Sequence, residues 1–291
     1  MSAKSDPSKG PAVVVGALGM LGKAWRELLL NNDIDHTGLD LPTLDITDPD
    51  SIAEHIGKDV RFVVNCAAFT DVDGAEDQEN LAHILNADAV GHLADHCKKI
   101  GATLIHYSTD YVFDGKSESP YKTDHPRDPL NAYGRTKAAG EQRVEGSSCD
   151  YILIRTSWLY APWARNFVAT MIRLTRDRDE LQVVDDQRGR PTSAQHLAAA
   201  SLRLLEKGQR GAFHVTDGGE CTWYEFACEI KRLAGNTCDI KPCSSDQYKL
   251  PAARPAYSVM DLSKTEAVLG AMPEWKKNLA DVIGQMEPQS V

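Results

Sequence analysis

The stretch Ala12-Val-Val-Val-Gly-Ala-Leu-Gly-Met-Leu-Gly22 decides the fold of this 291-residue chain. Apolar residues of strand length run directly into Gly16, Gly19 and Gly22, and helical periodicity follows over residues 20–31. Glycines placed between a strand and a helix permit a tight turn and let backbone approach a pyrophosphate, which the free N–H groups of the helix N-terminus then bind. The pattern is short, so an ordinary strand-to-helix turn remains the alternative interpretation.

An alternation of strands and helices extends from this turn along most of the chain. Strand candidates lie at 12–16, 37–40, 62–66, 103–108, 151–155, 181–184 and 212–215, and helical periodicity appears at 20–31, 75–99, 131–145, 164–177 and 194–207. Flat apolar strands that alternate with amphipathic helices predict an α/β fold with a doubly wound parallel sheet of the Rossmann type. The regularity loosens after Gly211, which indicates a smaller C-terminal α/β substrate lobe.

These patterns predict two lobes that follow a flexible tail at residues 1–10. A dinucleotide-binding Rossmann domain is predicted at residues 11–155, and segments near 181–215 are expected to complete its sheet. The smaller lobe, predicted to bind substrate, takes residues 156–180 and 216–291.

The composition narrows the class of protein. The net charge is −10, which argues against nucleic acid as a partner because phosphate binding needs concentrated positive charge. No apolar run approaches the roughly 18 residues that span a membrane, and the polar N-terminus lacks the apolar segment of a signal peptide. The seven cysteines form no CxxC pair and fit no common zinc spacing. A reduced cytoplasmic protein without a structural metal is therefore expected.

Acidic residues after the second strand candidate extend the predicted dinucleotide site. Asp40 follows that strand about 20 residues after the glycines, where a carboxylate accepts hydrogen bonds from the adenosine ribose and repels a 2′-phosphate. NADH is therefore expected to serve at least as well as NADPH. Asp45, followed by Ile46, is placed to approach the adenine, although a loop or capping aspartate is an equal alternative.

The segment Asn131-Ala-Tyr-Gly-Arg-Thr-Lys137 carries a phenol and an ammonium four residues apart. On a helix Tyr133 and Lys137 would share one face. A nearby cation favours the phenolate, so Lys137 is expected to lower the pKa of Tyr133 and suit it to proton transfer. The alternative is a chance pair on a solvated helix start.

Taken together, these features resemble the extended short-chain dehydrogenase/reductase superfamily, and within it the dTDP-4-dehydrorhamnose reductases. The segments that carry the resemblance cover nearly the whole chain in the family order: GALGMLG (16–22), NCAAFTDVDGAE (65–76), HYSTDYVFDG (106–115), PLNAYGRTKAAGE (129–141), RTSWLYAP (155–162), NFVATMIRL (166–174), DQRGRPT (186–192) and RPAYSVMD (254–261). The tyrosine–lysine pair alone is common, whereas its combination with STDYVFDG and RTSWLY is specific.

The resemblance implies a reaction and a set of residue roles. The reaction is reduction of the C4 ketone of a dTDP-linked deoxyketosugar by NADH or NADPH. The catalytic residues would be Thr109, Tyr133 and Lys137. The cofactor-binding residues would be Gly16, Leu18, Gly19, Met20, Leu21, Gly22, Asp40, Asp45, Ile46, Ala67, Ala68, Phe69 and Thr70, with Tyr133 and Lys137. The substrate would contact Thr109, Asp110, Trp158 and Arg254. No metal is expected, and a homodimer is possible.

Other interpretations stay open at this point. Nucleotide-sugar dehydratases carry an Asp-Glu pair after the threonine, whereas this chain has Asp110-Tyr111, so the base for elimination is missing. Epimerisation would need further acid–base groups that the sequence does not supply. A reductase of the talose series and a non-catalytic regulatory subunit like that of methionine adenosyltransferase are the remaining alternatives, although an intact Thr109, Tyr133 and Lys137 set favours an enzyme.

Overall fold

A computed structural model describes Ser8 and residues 10–286, so most of the predicted tail at residues 1–10 lies outside the described residues. The strands are β1 (Ala12–Val15), β2 (His36–Leu39), β3 (Phe62–Asn65), β4 (Thr103–Thr109), β5 (Tyr151–Thr156), β6 (Leu159–Tyr160), β7 (Glu180–Val184), β8 (Arg188–Gly189), β9 (Thr192–Ser193), β10 (Gly211–His214), β11 (Cys221–Thr222) and β12 (Asp239–Cys243). The α-helices are α1 (Met20–Asn31), α2 (Pro49–His55), α3 (Gly74–Asp77), α4 (Glu79–His83), α5 (Ala89–Ile100), α6 (Ala132–Ser147), α7 (Phe167–Asp177), α8 (Ala194–Glu206), α9 (Trp223–Ala234), α10 (Ser263–Leu269) and α11 (Trp275–Gln285).

The central sheet has six strands in the order β2-β1-β3-β4-β5-β10. Every neighbouring pair in it is parallel. β2 lies on one side of β1, and the later strands of this sheet lie on the other. The direction in which strands are added to the sheet therefore reverses between β1 and β3, which is a topological switch point. In open parallel sheets, ligands bind at the carboxyl ends of the strands at such a point. The prediction of a doubly wound parallel sheet with a smaller α/β lobe is confirmed.

Apolar cores cover both faces of this sheet. Side chains of a strand alternate between the faces, so Val14 joins the core formed with α1 and α8, whereas Val13 joins the core formed with α2 and α5. Trp25 of α1 and Leu93 of α5 are fully buried on the opposite faces. Burial on both faces explains why these strands read as continuous apolar runs.

The single helix expected at residues 75–99 is divided into three α-helices and one π-helical turn, Ile84–Asp88. The side chain of Asn86, inside this turn, accepts a hydrogen bond from Phe69 N at 2.9 Å and donates one to Phe69 O at 3.1 Å. Helix α6 packs closely against the turn, since a methyl group on Gly140 would lie 2.0 Å from Asn86 O. Contacts distant in sequence therefore set a break that local periodicity does not show.

The smaller lobe packs α7, α9 and α11 around its own apolar core, in which Phe226, Ile230 and Trp275 are buried. Of the segments expected to complete the main sheet, Gly211–His214 pairs with β5 as its sixth strand. Glu180–Val184 instead pairs in parallel with β12 in a separate two-stranded sheet. The exact boundary between the lobes stays a prediction. No helix among the described residues has the length and apolar character needed to cross a membrane.

Candidate active site

A cavity of about 650 Å³ opens at the carboxyl ends of β1 and β3, at the topological switch point of the sheet. Of the residues singled out from the sequence, its wall contains Gly16, Gly19, Met20, Leu21, Asp40, Asp45, Ile46, Ala67, Ala68, Thr70, Thr109, Asp110, Tyr133, Lys137 and Trp158. Four others, Leu18, Gly22, Phe69 and Arg254, lie outside this wall. Side chains from both lobes therefore meet in one space, although they are far apart in sequence.

The glycine turn is shaped by atoms that glycine lacks. Gly16 has φ +71°, and a methyl group there would lie 2.6 Å from Ala67 N. A methyl group on Gly22 would lie 2.1 Å from Gly16 O, so α1 packs directly on the turn. Gly19 precedes α1 and supplies no capping side chain. The first N–H groups of α1 thus stay available, and this cradle fits the pyrophosphate of a dinucleotide.

Asp40 closes the turn from the side of β2. Its carboxylate accepts hydrogen bonds from Leu18 N and from Leu41 N, both at 3.0 Å. The side chain of Leu18 is 75% exposed, so Leu18 contributes to the turn through its backbone N–H. Asp45 also lines the cavity, but its carboxylate accepts hydrogen bonds from Thr47 N and Thr47 Oγ1, and these lower the pKa of Asp45. Both acids therefore shape loops as well as the cavity wall.

Helix α6 carries Tyr133 and Lys137 into the middle of the cavity wall. Asn131 caps the helix by accepting a hydrogen bond from Gly134 N at 2.7 Å, so Tyr133 lies in the first turn. Gly134 has no room for a side chain, since a methyl group would lie 2.2 Å from Tyr111 O. Lys137 is 3% exposed and donates a hydrogen bond from Nζ to Tyr107 O at 2.6 Å. The ammonium is thereby anchored to strand β4.

The expectation that Lys137 lowers the pKa of Tyr133 is wrong. Burial raises the pKa of Tyr133, the Asp110 carboxylate raises it further, and only a hydrogen bond with Thr109 lowers it. Burial also lowers the pKa of Lys137 to about 8, against the opposing effect of Glu141. Loss of solvation is the largest cause of both pKa shifts, because both groups are buried in the cavity wall. The phenol is therefore held in its protonated form.

Thr109 and Asp110 stand at the end of β4, beside Tyr133. Thr109 Oγ1 donates a hydrogen bond to Asp110 Oδ1 at 3.0 Å and accepts one from Tyr111 N at 3.2 Å. Burial raises the pKa of Asp110 to about 6. Several buried polar atoms of the described residues lack a hydrogen-bond partner by geometry, and three of them, Ser108 Oγ, Asp110 Oδ2 and Thr156 Oγ1, belong to residues that line the cavity, although an interaction with Ser258 also lowers the pKa of Asp110. Buried polar atoms usually have partners, so the three atoms in the cavity wall can accept or donate hydrogen bonds to a polar ligand.

A buried ion pair supports α6 below the reactive residues. Glu141, one turn after Lys137 and fully buried, accepts hydrogen bonds from Arg155 Nε at 2.8 Å and Arg155 Nη2 at 2.7 Å. Arg127 contacts the same carboxylate. Arg155 lies on β5, so the pair ties the helix to the sheet. Such bidentate, charge-assisted hydrogen bonds both stabilise the contact and fix the orientation of the two side chains.

Trp158 and Trp223 form the aromatic end of the cavity. Their rings stack with centroids 3.6 Å apart and an interplanar angle of 13°. Trp158 has φ +48°, a left-handed conformation that is uncommon for a bulky residue and accumulates at functional sites. Gly189 makes room for its ring, since a methyl group there would lie 2.8 Å from Trp158 Cε2. Trp223, which the sequence did not single out, is a further residue of the cavity wall.

The remaining predicted residues take supporting positions. Phe69 packs against Tyr133 and Ala132. Arg254 donates two hydrogen bonds to the carboxylate of Asp73, each of 2.7 Å, and also contacts Tyr111 of the cavity wall. The predicted contact of Arg254 with substrate therefore stays a prediction. No group of three or more His, Cys, Asp or Glu side chains suited to a metal ion occurs in the described part of the chain.

Comparison with known proteins identifies the family. The family model described as the RmlD substrate binding domain matches residues 11–287. A dTDP-4-dehydrorhamnose reductase of Streptomyces griseus is 41% identical over 281 residues, which are 92% of this chain and 91% of that protein. A dTDP-4-keto-6-deoxy-D-glucose reductase of Streptomyces niveus is 39% identical over 251 residues, which are 85% of this chain and 87% of that protein.

A solved structure shows the same architecture. The dTDP-4-dehydrorhamnose reductase of Bacillus anthracis in complex with NADP superposes with a TM-score of 0.92, at 36% identity, over 96% of this chain and 100% of that chain. The resemblance inferred from the sequence motifs is confirmed. The glycine turn, the anchored tyrosine–lysine helix and these matches together lead to one conclusion: the chain belongs to the family of the RmlD substrate binding domain, which includes dTDP-4-dehydrorhamnose reductases.

Proposed function

We propose that this protein is an NAD(P)H-dependent ketoreductase that converts the C4 ketone of dTDP-4-dehydro-L-rhamnose to the alcohol of dTDP-L-rhamnose. One observation carries the proposal: Thr109, Tyr133 and Lys137 share one cavity with the glycine turn of a dinucleotide site. Ketone reduction needs a cofactor site, a polarising donor and a proton source in one space, and these residues provide all three.

The cofactor, when bound, supplies the hydride. The chain's own residues then act on the ketone oxygen. Tyr133 and Thr109 bring hydroxyl groups to the same part of the wall, where they can donate hydrogen bonds to a carbonyl that gains negative charge. Tyr133 delivers the proton to the developing alkoxide. Lys137, anchored on Tyr107 O, places a positive charge in the same cavity wall.

The pKa directions suit reduction. The raised pKa of Tyr133 keeps the phenol protonated until the alkoxide forms, so the residue acts as an acid and not as a base. The pKa of Lys137, lowered to about 8, leaves the ammonium mostly charged at neutral pH. We assign this charge to the cofactor ribose, the role that the family resemblance implies for Lys137.

The far side of the cavity fits a deoxysugar. Trp158 and Trp223 present flat apolar surface, which suits the C–H faces of a hexose ring. Asp110 Oδ2 and Thr156 Oγ1 offer hydrogen-bonding capacity to its hydroxyl groups. We assign the sugar to this side and the cofactor to the glycine turn, which brings the ketone between them at Tyr133.

Several finer assignments belong to the same proposal. The described cysteines are all free, as expected for a protein of the reducing cytoplasm, where we place the reaction. The net charge of −10 does not suit nucleic acid, so we assign no such partner, and we assign no membrane partner. A homodimer is part of the proposal and is testable by light scattering.

The test is product analysis. The purified protein is incubated with dTDP-4-dehydro-L-rhamnose and NADH or NADPH, and the product is identified by NMR, with Tyr133→Phe as the matched control. Formation of dTDP-L-rhamnose by the wild type alone supports the proposal. The C4 epimer would place the protein in the talose series.

A second sugar nucleotide tests whether the protein reduces a different deoxysugar. Because the Streptomyces niveus relative is named a dTDP-4-keto-6-deoxy-D-glucose reductase, the same assay is repeated with dTDP-4-keto-6-deoxy-D-glucose. A higher kcat/KM for that sugar would replace the rhamnose assignment with a different deoxysugar reductase. No cofactor oxidation with either sugar would instead favour the regulatory-subunit interpretation.

A further inference from the structure

The first turn of α6 is held by a side chain from another helix. Tyr133 is the second residue of α6, and the first N–H groups of a helix have no acceptor within it. Asn131 accepts a hydrogen bond from Gly134 N at 2.7 Å. Glu76 of α3 accepts one from Ala132 N through Oε1 at 2.8 Å. The backbone directly before Tyr133 is therefore fixed by a carboxylate that is 56 positions away in the sequence.

Small side chains bring α3 and α4 close enough to α6 for this contact. Ala75 of α3, Ala82 of α4 and Ala132 of α6 are fully buried in one cluster, and Phe69 and Tyr133 pack against it. Larger side chains in this cluster would push the helices apart. The carboxylate also lies at the positive end of the α6 dipole, where a negative charge is stabilised. Tyr133 thus rests on the same element that presents the acceptor.

The segment that presents Glu76 is itself held in place. Asp71 accepts a hydrogen bond from Gly74 N at 2.9 Å, which fixes the start of α3. Asp73 accepts two hydrogen bonds from Arg254, each of 2.7 Å, and the first of these contacts to act on its carboxyl lowers the pKa of Asp73. These contacts fix the backbone from which the exposed Glu76 side chain reaches α6.

The smaller lobe contacts both sides of this arrangement. Ala252 N donates a hydrogen bond to Asp73 Oδ1 at 3.1 Å, and Ala253 O accepts one from Asn131 Nδ2 at 2.8 Å. Asn131 is the residue that caps α6. The chain at 252–254 therefore joins α3 to the start of α6 by a second route, and the three elements form one junction beside Tyr133.

A neighbouring carboxylate reaches α6 in a different way. Glu79 of α4 accepts hydrogen bonds from Arg135 Nε at 2.8 Å and from Arg135 Nη2 at 2.9 Å. Both side chains of this pair are close to half exposed, at 44% and 45%. Glu79 binds the end of a long side chain, whereas Glu76 binds backbone. The two acids therefore differ in what they fix, although both connect the same parts of the chain.

We propose that Glu76 is a positioning residue for the proton donor: by binding Ala132 N it fixes the first turn of α6 and so places the Tyr133 hydroxyl against the ketone. The inference rests on the proposed role of Tyr133. A shift of about 1 Å at a reacting group can lower the rate roughly a hundredfold. Glu76 does not line the cavity, so it acts through the backbone and not through contact with a ligand.

The first test is steady-state kinetics with dTDP-4-dehydro-L-rhamnose and NADPH. Glu76→Ala is expected to lower kcat roughly tenfold or more, while KM for the sugar nucleotide and Kd for NADPH stay within about twofold. Glu76→Gln keeps an oxygen that accepts the hydrogen bond and should retain most of kcat. Glu76→Asp is one methylene shorter and should lose kcat as Glu76→Ala does. The control Glu79→Ala should stay within about twofold of the wild type.

A double variant tests whether Glu76 acts through Tyr133. In the Tyr133→Phe background, Glu76→Ala should change the residual kcat by no more than about twofold, because the hydroxyl that it places is gone. Losses that multiply would overturn the inference. A Tyr133→Phe variant as active as the wild type would overturn the proposed function as well. A fully active Glu76→Ala beside an inactive Tyr133→Phe would overturn this inference alone.

Amide hydrogen exchange tests the contact without turnover. Exchange of the Ala132 amide, followed by NMR, should become roughly tenfold faster or more in Glu76→Ala and stay unchanged in Glu79→Ala, because only the first variant loses the acceptor. Urea unfolding of both variants provides the comparison with stability. A fall in kcat confined to Glu76→Ala at similar stabilities supports positioning. Wild-type exchange of Ala132 in Glu76→Ala, or kcat losses that follow stability in both variants, would overturn it.

Discussion

At the glycine end of the cavity, residues 16–22, the wall is backbone, whereas at the aromatic end it is two stacked indole rings. The glycine end leaves no room for added atoms, as the 2.1 Å between Gly16 O and a methyl group on Gly22 shows. The aromatic end depends on bulk, and its Trp158 ring fills the space that Gly189 leaves. Backbone N–H groups suit a phosphate that every dinucleotide shares, while large side chains suit one particular sugar.

This difference teaches where variation can be tolerated. The glycine end offers backbone N–H groups, and its sequence is constrained at Gly16 and Gly22 because a methyl group at either position would collide with backbone atoms. The aromatic end is lined by side chains that can be exchanged for others of different shape. We expect the cofactor class to be fixed by the first region and the substrate range to be set by the second.

The largest expected effect lies between the two ends. Tyr133→Phe should lower kcat by about 10²–10⁴-fold, the usual contribution of a general acid. Because neither end is touched, the dissociation constant of NADPH, measured by fluorescence titration, should hardly change. A variant with more than half of the wild-type kcat would show that the chemistry does not depend on this residue. A large loss of NADPH affinity would show that binding and chemistry are not separated as we describe.

The glycine end is tested by Gly22→Ala. The added methyl group meets Gly16 O, so we expect the free energy of unfolding in urea to fall by about 1–3 kcal/mol or more, the usual cost of overpacking. The matched control is Gly146→Ala on α6, where a methyl group would meet nothing within 4 Å. Replacing that helical glycine should stabilise the protein by about 0.5–1 kcal/mol. Equal stabilities of the two variants would contradict the geometry of the turn.

The aromatic end is tested by Trp223→Leu. Loss of the ring removes the surface on which Trp158 stacks, and we expect KM for the sugar nucleotide to rise roughly tenfold, as for a lost aromatic contact of about 1.4 kcal/mol. The affinity for NADPH should stay near the wild-type value. Trp223→Phe keeps an aromatic face and should recover part of the loss. If both ligands are weakened equally, Trp223 is a packing residue of the smaller lobe.

The smallest expected effect is the pH dependence near neutrality. The pKa of Lys137, lowered to about 8, means that its charge is lost as the pH rises through that value. The pKa of Asp110, raised to about 6, means that its carboxylate charge is lost as the pH falls through that value. The profile of kcat/KM should therefore be bell-shaped, halved near pH 6 and near pH 8. Asp110→Asn should remove the acidic limb only, and a flat profile from pH 5 to 9 would contradict both assignments.

The sequence predicts the features that depend on local pattern. The central sheet, the glycine turn and the placement of Tyr133 and Lys137 on one helix follow from periodicity and spacing, and the structure has all three. The family resemblance adds Thr109 and Trp158, which line the cavity. Their roles in catalysis and binding stay predictions until variants are measured.

Features that depend on distant contacts are not visible in the sequence. Stacking of Trp223 on Trp158 joins residues 65 positions apart, and nothing in the helical pattern of α9 indicates it. The direction of the Tyr133 pKa shift depends on burial, which spacing alone cannot give. The π-helical turn at Asn86 is likewise accompanied by hydrogen bonds to Phe69, which local periodicity does not indicate. Sequence spacing identifies which groups meet, while the fold decides how solvent and neighbours change them.

The stacked tryptophan pair also gives the protein an internal optical reporter. The chain has five tryptophans, and the rings of Trp158 and Trp223 are near enough, at 3.6 Å between centroids, for their electronic transitions to couple. Coupled indoles produce a paired circular dichroism signal of opposite signs, which depends on the angle between the rings. A sugar nucleotide that enters the aromatic end and rotates either ring would change that signal, so its arrival can be followed in real time without a label and without turnover.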